Sequence, residues 1–372
     1  MSSRLKIVTI GPFPPLRGGI SDFHEALVNQ ISKKSDVKVL NFKSLYPKIF
    51  FPGKSEYSNN KSSFKNVNTI LNPLNVLSWI KGKSLIKENN TDKVIISYWS
   101  FFFIPVYMFL LGSVKKENRY VLFHNVISHE NKPFEKFLLR HFIKIIGHCI
   151  VMNNYNKELI LKINPKASII NNYHPIYELP YIDNSSNNYK ADLNIKTKKT
   201  ILFFGLIREY KGLDLLINAI GLSKNKIKDL NVLVVGENYE SLEKYHKMIR
   251  AHNMKDSFTF INSFVDKGDI KKYFLSSELV VLPYKSASQS GVLSLAYNFN
   301  RPVITTDVGG LSDYVLDKKS GFIVDPNSED ISKKINMFFD ENMFETMSKF
   351  IKDNKKIFSW ESFEKKLKLY EK

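Results

Sequence analysis

A single cysteine, Cys149, stands among 372 residues. It excludes a disulfide framework and any zinc site built on cysteines, and fits a reducing compartment. Acidic residues are also scarce, with 36 Asp and Glu against 55 Lys and Arg, for a formal net charge of +19. The deficit is uneven: residues 1–180 hold 11 acidic and 25 basic residues (+14), residues 181–372 hold 25 and 30 (+5). So basic a half implies an anionic partner, whether nucleic acid, a membrane surface or a phosphorylated substrate. The apolar start, Leu5–Ile10, is too short for a signal peptide and runs into Pro12, Pro14 and Pro15 without a cleavage site, so a cytoplasmic protein is expected. The charge-free run Val94–Val114 is long enough to cross a bilayer, but Ser97, Ser100 and Pro105 break it; it reads as a strand followed by a half-buried helix. GxGxxG is missing, and Pro133 stands where a second histidine would complete HExxH after His129-Glu130, which excludes a zincin. Nucleic-acid signatures and repeats of 20–50 residues are missing too.

What is present suffices for packed cores. Apolar residues make up 43% and aromatics 13%, which rules out global disorder, and the length suggests two domains. Short apolar strands alternate with amphipathic helical stretches in both halves, the pattern of parallel α/β domains. In residues 20–32, Phe23, Leu27, Val28 and Ile31 recur at helical spacing. Residues 43–71, rich in Lys, Ser, Asn, Pro and Tyr, read as a long loop. The expected division is an amino-terminal domain over 1–180, a polar linker over 181–198, a second domain over 199–358 and a last helix in 359–372.

Four strand-to-helix turns carry the chemistry. Gly18-Gly19, before the first helix, can bring bare amides and the positive helix end to a phosphate; a tight turn needing positive φ would use the same pair. Gly205 to Gly212 places Arg208 and Lys211 where they suit a diphosphate, Arg208 as a bidentate donor and Lys211 as a point charge, unless both are solvated surface charges. Residues 283–292 include Ser288, Gln289, Ser290 and Gly291, which offer hydroxyls, an amide and open backbone to a phosphate or a sugar. Asp307-Val308-Gly309-Gly310 is a further glycine pair at a strand end. Because open parallel sheets bind ligands at the carboxyl ends of their strands, these turns point to a cleft between the domains. His124, at a strand end, and His129-Glu130 beyond it are candidates for proton transfer or acceptor contact; a hydrogen-bonded structural histidine is the alternative for His124. Residues 132–146 are basic and amphipathic, with Lys136, Arg140 and Lys144 at i, i+4 and i+8. Such a segment lies on an anionic bilayer or is a core helix with a solvated basic stripe.

With these turns in order, the chain resembles glycosyltransferase family 4, the retaining nucleotide-sugar enzymes of GT-B fold. Gly18-Gly19-Ile20 is similar to the family's amino-terminal glycine loop, and Gly205 with Lys211-Gly212 to its G-(x)5-K-G diphosphate turn. Pro283, Pro302-Val303 and Asp307-Val308-Gly309-Gly310-Leu311 resemble its carboxy-terminal block. The resemblance implies an α/β fold of two Rossmann-like parallel-sheet domains facing a cleft, the first taking the acceptor and the second the donor. It also implies that the last helix packs back toward the first domain.

In such an enzyme Arg208, Lys211 and glycine-turn amides would stabilise the departing diphosphate without a metal or other cofactor. His124 would contact donor sugar or acceptor, and Glu237 the nucleotide. Two departures stand out. Leu206 occupies the place of the family's arginine after the first glycine, with Arg208 as its substitute. The family's two glutamates, eight positions apart, are replaced by Ala287 and Leu295, so Ser288, Gln289, Ser290 and Gly291 must supply the donor contacts.

The expected partners are a nucleotide-sugar donor, a lipid-pyrophosphate-linked or glycan acceptor in surface polysaccharide synthesis, and an anionic membrane surface reached through Lys136, Arg140 and Lys144; nucleic acid is not expected. This adds peripheral attachment at the inner face of the plasma membrane to the cytoplasmic expectation. The competing readings are a nucleotide-sugar 2-epimerase of the same architecture and a non-catalytic, transferase-like protein binding membrane or nucleic acid.

Overall fold

The structure is a computed structural model that describes residues 4–45, 57, 62–127, 133–176, 189–223, 227–238, 240–266, 268–287 and 290–371. It comprises two compact units, Met1–Tyr173 with Trp360–Lys372, and His174–Ser359.

In the first unit β1 (Lys6–Ile10), α1 (Gly19–Ile31), β2 (Asp36–Phe42), β3 (Val67–Leu71) and α2 (Val76–Glu88) lead into β4 (Lys93–Tyr98) and α3 (Ile104–Leu111). β5 (Arg119–Phe123), α4 (Pro133–Ile145), β6 (His148–Val151), α5 (Asn154–Ile163) and β7 (Ile169–Asn171) complete the sheet, ordered β3-β2-β1-β4-β5-β6-β7 and parallel throughout. The apolar run at 94–114 thus divides into a strand and a helix. The expected loop over 43–71 needs correction: its last five residues form the edge strand β3, paired with β2. As an edge strand it is only half buried, so it lacks the continuous apolar run of the central strands.

One apolar core joins alternate strand residues (Val8, Ile10, Ile96, Val121, Phe123) to Leu110 of α3 and to Leu139 and Phe142 of α4. α2, α3 and α4 form the layer over it, α3 packing against both of the others. His124, one residue past Phe123, turns the other way and meets the Phe23 ring of α1 edge-on at 5.0 Å. On that side Phe23 also packs on Trp360 and Phe363 of the terminal helix, where the Glu364 carboxylate, 1% exposed, accepts from Gln30 Nε2 (2.6 Å) and the Tyr370 hydroxyl (2.8 Å) and pairs with Lys34 (3.3 Å).

The second unit runs α6 (Tyr189–Asp192), β8 (Lys199–Phe204), α7 (Leu213–Ser223), β9 (Leu230–Val235), α8 (Glu243–Ala251), β10 (Phe258–Ile261), α9 (Ile270–Leu275) and β11 (Leu279–Leu282). It continues through α10 (Gly291–Asn298), β12 (Val303–Thr306), β13 (Gly321–Val324), α11 (Ser328–Asp340) and α12 (Phe344–Asn354); α13 (Trp360–Lys366) then returns to the first unit. Its six parallel strands are ordered β10-β9-β8-β11-β12-β13. β9 is buried at every position, as a strand covered on both faces must be. Among the described residues, no helix is long and apolar enough to cross a membrane.

Candidate active site

In the second sheet the chain order reverses between β8 and β11, which lie side by side with β12 next. The turns that follow these three strands therefore share the carboxyl edge of the sheet, at a topological switch point. Gly212 has φ 70°, and a Cβ there would sit 1.8 Å from the Pro283 carbonyl oxygen, so only glycine lets the β8 turn press against the β11 turn. The contact is sealed by the Lys285 N–H donating to the Tyr210 carbonyl (2.7 Å) and by the Tyr210 and Tyr284 rings meeting edge-on at 6.3 Å.

Lys211 lies in this contact. The residue is 9% exposed, its Nζ stands 5.4 Å from the centre of the Tyr284 ring, and a Cβ on Gly205 would come within 2.9 Å of it. Among the described residues no carboxylate pairs with it. A cation so far withdrawn from water is costly unless an anion completes its surroundings. The Tyr284 hydroxyl lies 3.2 Å from Ser290 Oγ, which caps α10 by accepting from the Val292 N–H (3.3 Å). Thr306 Oγ1 donates to the Tyr284 carbonyl (2.6 Å), tying in the β12 turn. A Cβ on Gly291 would meet nothing within 4 Å, so the backbone at the start of α10 is open to a ligand. Gly205, Lys211, Ser290 and Gly291 are thus brought together.

The other expected donor residues are placed differently. Arg208 is exposed, and its carbonyl accepts from the Lys211 N–H (2.9 Å). Glu237 is half-buried and braces the β8 turn by its carbonyl, which accepts from the Ile207 N–H (3.0 Å). Ser288 and Gln289 lie outside the described residues, as do His129 and Glu130. Tyr284, which links the three turns, went unrecognised in the sequence, where a tyrosine after a strand carries no distinctive spacing.

In the first unit Gly18 caps α1 with φ 129°, and a Cβ on Gly18 or Gly19 would meet nothing within 4 Å. The loop that leads to them is pinned by a residue the sequence did not single out. Asn41 of β2 accepts from the Phe13 N–H (2.9 Å) and donates to the Phe13 carbonyl (3.0 Å). Asn41→Ala leaves the buried Phe13 N–H unpaired, while the Phe13 carbonyl keeps the Leu16 N–H (3.0 Å), and is expected to lower the unfolding free energy by about 1–3 kcal/mol in urea titrations. His124 sits 2% exposed, its N–H donating to the Tyr98 carbonyl (2.9 Å). Lys136, Arg140 and Lys144 are all exposed on α4.

Two other histidines are buried in the fold. His24 Nδ1 donates to the Pro12 carbonyl (2.9 Å), and burial pushes its pKa from 6.5 down to about 4. His174, whose Nδ1 lies 3.0 Å from the Pro175 carbonyl and 3.1 Å from Ser294 Oγ of α10, is lowered to about 4 by the same cause. Each stays neutral in the folded chain while the unfolded chain takes up a proton, so stability is fully present above pH 6.5 and falls as pH drops toward 4. The urea midpoint is expected to decline through that window; a flat midpoint contradicts neutral burial of both rings.

Residues 185–357, just under half of the chain, match the family model described as glycosyl transferases group 1. An uncharacterized glycosyltransferase of Methanocaldococcus jannaschii is 29% identical over 164 residues, 43% of this chain and 44% of that protein. The 2-deoxystreptamine N-acetyl-D-glucosaminyltransferase of Niallia circulans is 29% identical over 35% of this chain and 33% of its own length. The chain therefore spans less than half the length of these curated relatives. Among solved structures, Anabaena HepE in complex with UDP aligns with a TM-score of 0.75 at 14% identity, covering 98% of both chains. Sucrose-phosphate synthase from Thermosynechococcus elongatus aligns at 0.74 and 16%, covering 98% of this chain and 97% of that one. The fold is that of the GT-B glycosyltransferases, two parallel-sheet α/β units.

Proposed function

We propose that this protein is a glycosyltransferase of family 4 that moves a sugar from a nucleotide-sugar donor, with retention, to a lipid-linked or polysaccharide-precursor acceptor. The observation that carries this reading is Lys211, a nearly buried lysine set among three strand-end turns and lacking a carboxylate partner among the described residues. A nucleoside diphosphate supplies the anion that this position calls for. The family match over 185–357 covers this whole cluster, and HepE has been crystallised with UDP and with UDP-glucose.

As the glycosidic bond breaks, negative charge grows on the departing diphosphate. Lys211 and the open backbone at Gly291 meet that charge already in position, so little reorganisation is needed in the transition state. The charge is supplied by the protein, and the reaction is proposed to run without a metal. Ser290 and Gly291, with Ser288 and Gln289, take over the donor contacts of the missing glutamates, Gly18 and Gly19 bring open amides to the donor, and His124 contacts the donor sugar or the acceptor. Lys136, Arg140 and Lys144 draw the first unit to anionic lipid at the inner face of the plasma membrane.

The test is incubation with a panel of nucleotide sugars and a lipid extract as acceptor source. Release of nucleoside diphosphate together with a glycosylated product retaining the donor's anomeric configuration is expected. A 2-epimerised nucleotide sugar, or no turnover with any donor, would overturn the reading.

A further inference from the structure

The first unit exposes large apolar side chains at one edge. On α2 and just before it, Leu74, Val76, Leu77 and Ile80 are 67%, 52%, 68% and 48% exposed, and on α4 Phe134 and Phe137 are 62% and 58% exposed. These are not scattered positions. α2 follows β3 and α4 leads into β6, while both belong to the layer over one face of an all-parallel sheet. Each runs from the carboxyl edge of the strands back toward the amino edge, so their first turns stand at the same edge. Phe102, 37% exposed ahead of α3, is at that edge between them.

Both helices carry the same order along their exposed sides. On α2 the apolar Val76, Leu77 and Ile80 give way to Lys81, Ser84 and Lys87; on α4 Phe134 and Phe137 give way to Arg140, His141 and Lys144. Lys136 stands beside the two phenylalanines. Four residues from Leu77 to Lys81 span about 6 Å of helix rise, comparable to the step from the acyl boundary to the phosphate level of a bilayer. Among the described residues acidic groups are kept away from these first turns: Glu135 is buried beneath α4, and Glu88 lies at the far end of α2.

The apolar end of α2 is also firmly built. The Trp79 indole donates to the Asn72 carbonyl (2.9 Å), Ser78 Oγ to the Asn75 carbonyl (2.6 Å), and the Leu74 N–H to Asn72 Oδ1 (2.9 Å), so Leu74 and Leu77 project from a braced turn. A large apolar patch on a braced scaffold, bordered among the described residues by exposed basic side chains, marks an interaction surface.

We propose that this edge docks end-on into an anionic lipid bilayer, Leu74, Val76, Leu77, Ile80, Phe134 and Phe137 entering the acyl boundary while Lys81, Lys136, Arg140 and Lys144 engage lipid phosphates. The proposal deepens the reading above, resting on its membrane-borne acceptor, and adds insertion by α2 to attraction by α4. Gly18, Gly19 and His124 follow β1 and β5 at the same carboxyl edge, which brings these expected site residues of the unit toward the lipid surface.

The test is flotation of the full chain with phosphatidylcholine vesicles made with and without phosphatidylglycerol, at low and high salt. Wild type is expected to float with the anionic vesicles and to keep part of that binding at high salt. Leu77→Ser/Ile80→Ser should weaken binding about a hundredfold at either salt, as loss of two inserted side chains implies. Lys136→Gln/Arg140→Gln/Lys144→Gln should weaken it mainly at low salt. Both variants should retain the thermal shift given by UDP to wild type, which scores the donor site apart from docking. Unchanged flotation of Leu77→Ser/Ile80→Ser would overturn the proposal, as would binding abolished wholly by salt. A lipid-free dimer that this variant converts to monomer would also overturn it, by assigning the face to a second copy.

Discussion

Replacing Lys211 with methionine is expected to raise the melting temperature of the unliganded protein slightly while lowering kcat about 10²–10³-fold. The two signs come from one cause. Lys211, a residue 9% exposed whose Nζ is held over the Tyr284 ring and beside Gly205, is poorly solvated in the empty protein, and methionine fills the same volume without a charge to desolvate. Once a diphosphate arrives, the same ammonium becomes the group that meets its charge. A structural lysine behaves oppositely, with its loss lowering stability and sparing turnover. Calorimetry of the empty variant beside its rate of nucleoside diphosphate release separates the two cases.

Gly212→Ala should destabilise the same region strongly. The residue combines φ 70° with a Cβ position 1.8 Å from the Pro283 carbonyl oxygen, so alanine pays for a left-handed backbone and also forces the β8 and β11 turns apart. A loss above about 3 kcal/mol is expected, or at least about 6 °C in melting temperature for a unit of this size. Gly291→Ala is the informative contrast, because its Cβ meets nothing within 4 Å. Its stability should stay within about 0.5 kcal/mol of wild type, while turnover falls as the new methyl group blocks close approach to the start of α10. Equal effects of the two alanines on melting temperature would contradict the distinction between a glycine the fold needs and a glycine the ligand needs.

The alternation of apolar strands with amphipathic helices made the α/β class legible, because central parallel strands such as β9 are buried on both faces and read as nearly unbroken apolar runs, Asn231 being its one polar residue. β3 was not legible, since an edge strand half open to water reads as Asn, Thr and apolar residues without a pattern. At the site, Gly205 with Lys211-Gly212 could be read because a left-handed turn before a helix demands glycine in the sequence itself. Tyr284 and Asn41 could not. Their roles depend on which strands become neighbours: Tyr284 matters because β8, β11 and β12 are adjacent, and Asn41 because β2 runs beside β1. Arg208 reads from its spacing as a phosphate ligand; it is exposed, with its carbonyl accepting from the Lys211 N–H.

The central claim is that the turns after β8, β11 and β12 hold a nucleoside diphosphate through Lys211. Thermal unfolding of wild type and Lys211→Met across a concentration series of nucleoside diphosphates tests it most directly, since a ligand that binds only the folded state raises its melting temperature. The account predicts a rise with at least one diphosphate that grows with concentration in wild type and is lost in the variant. No rise with any of them, or an equal rise in both proteins, would contradict it.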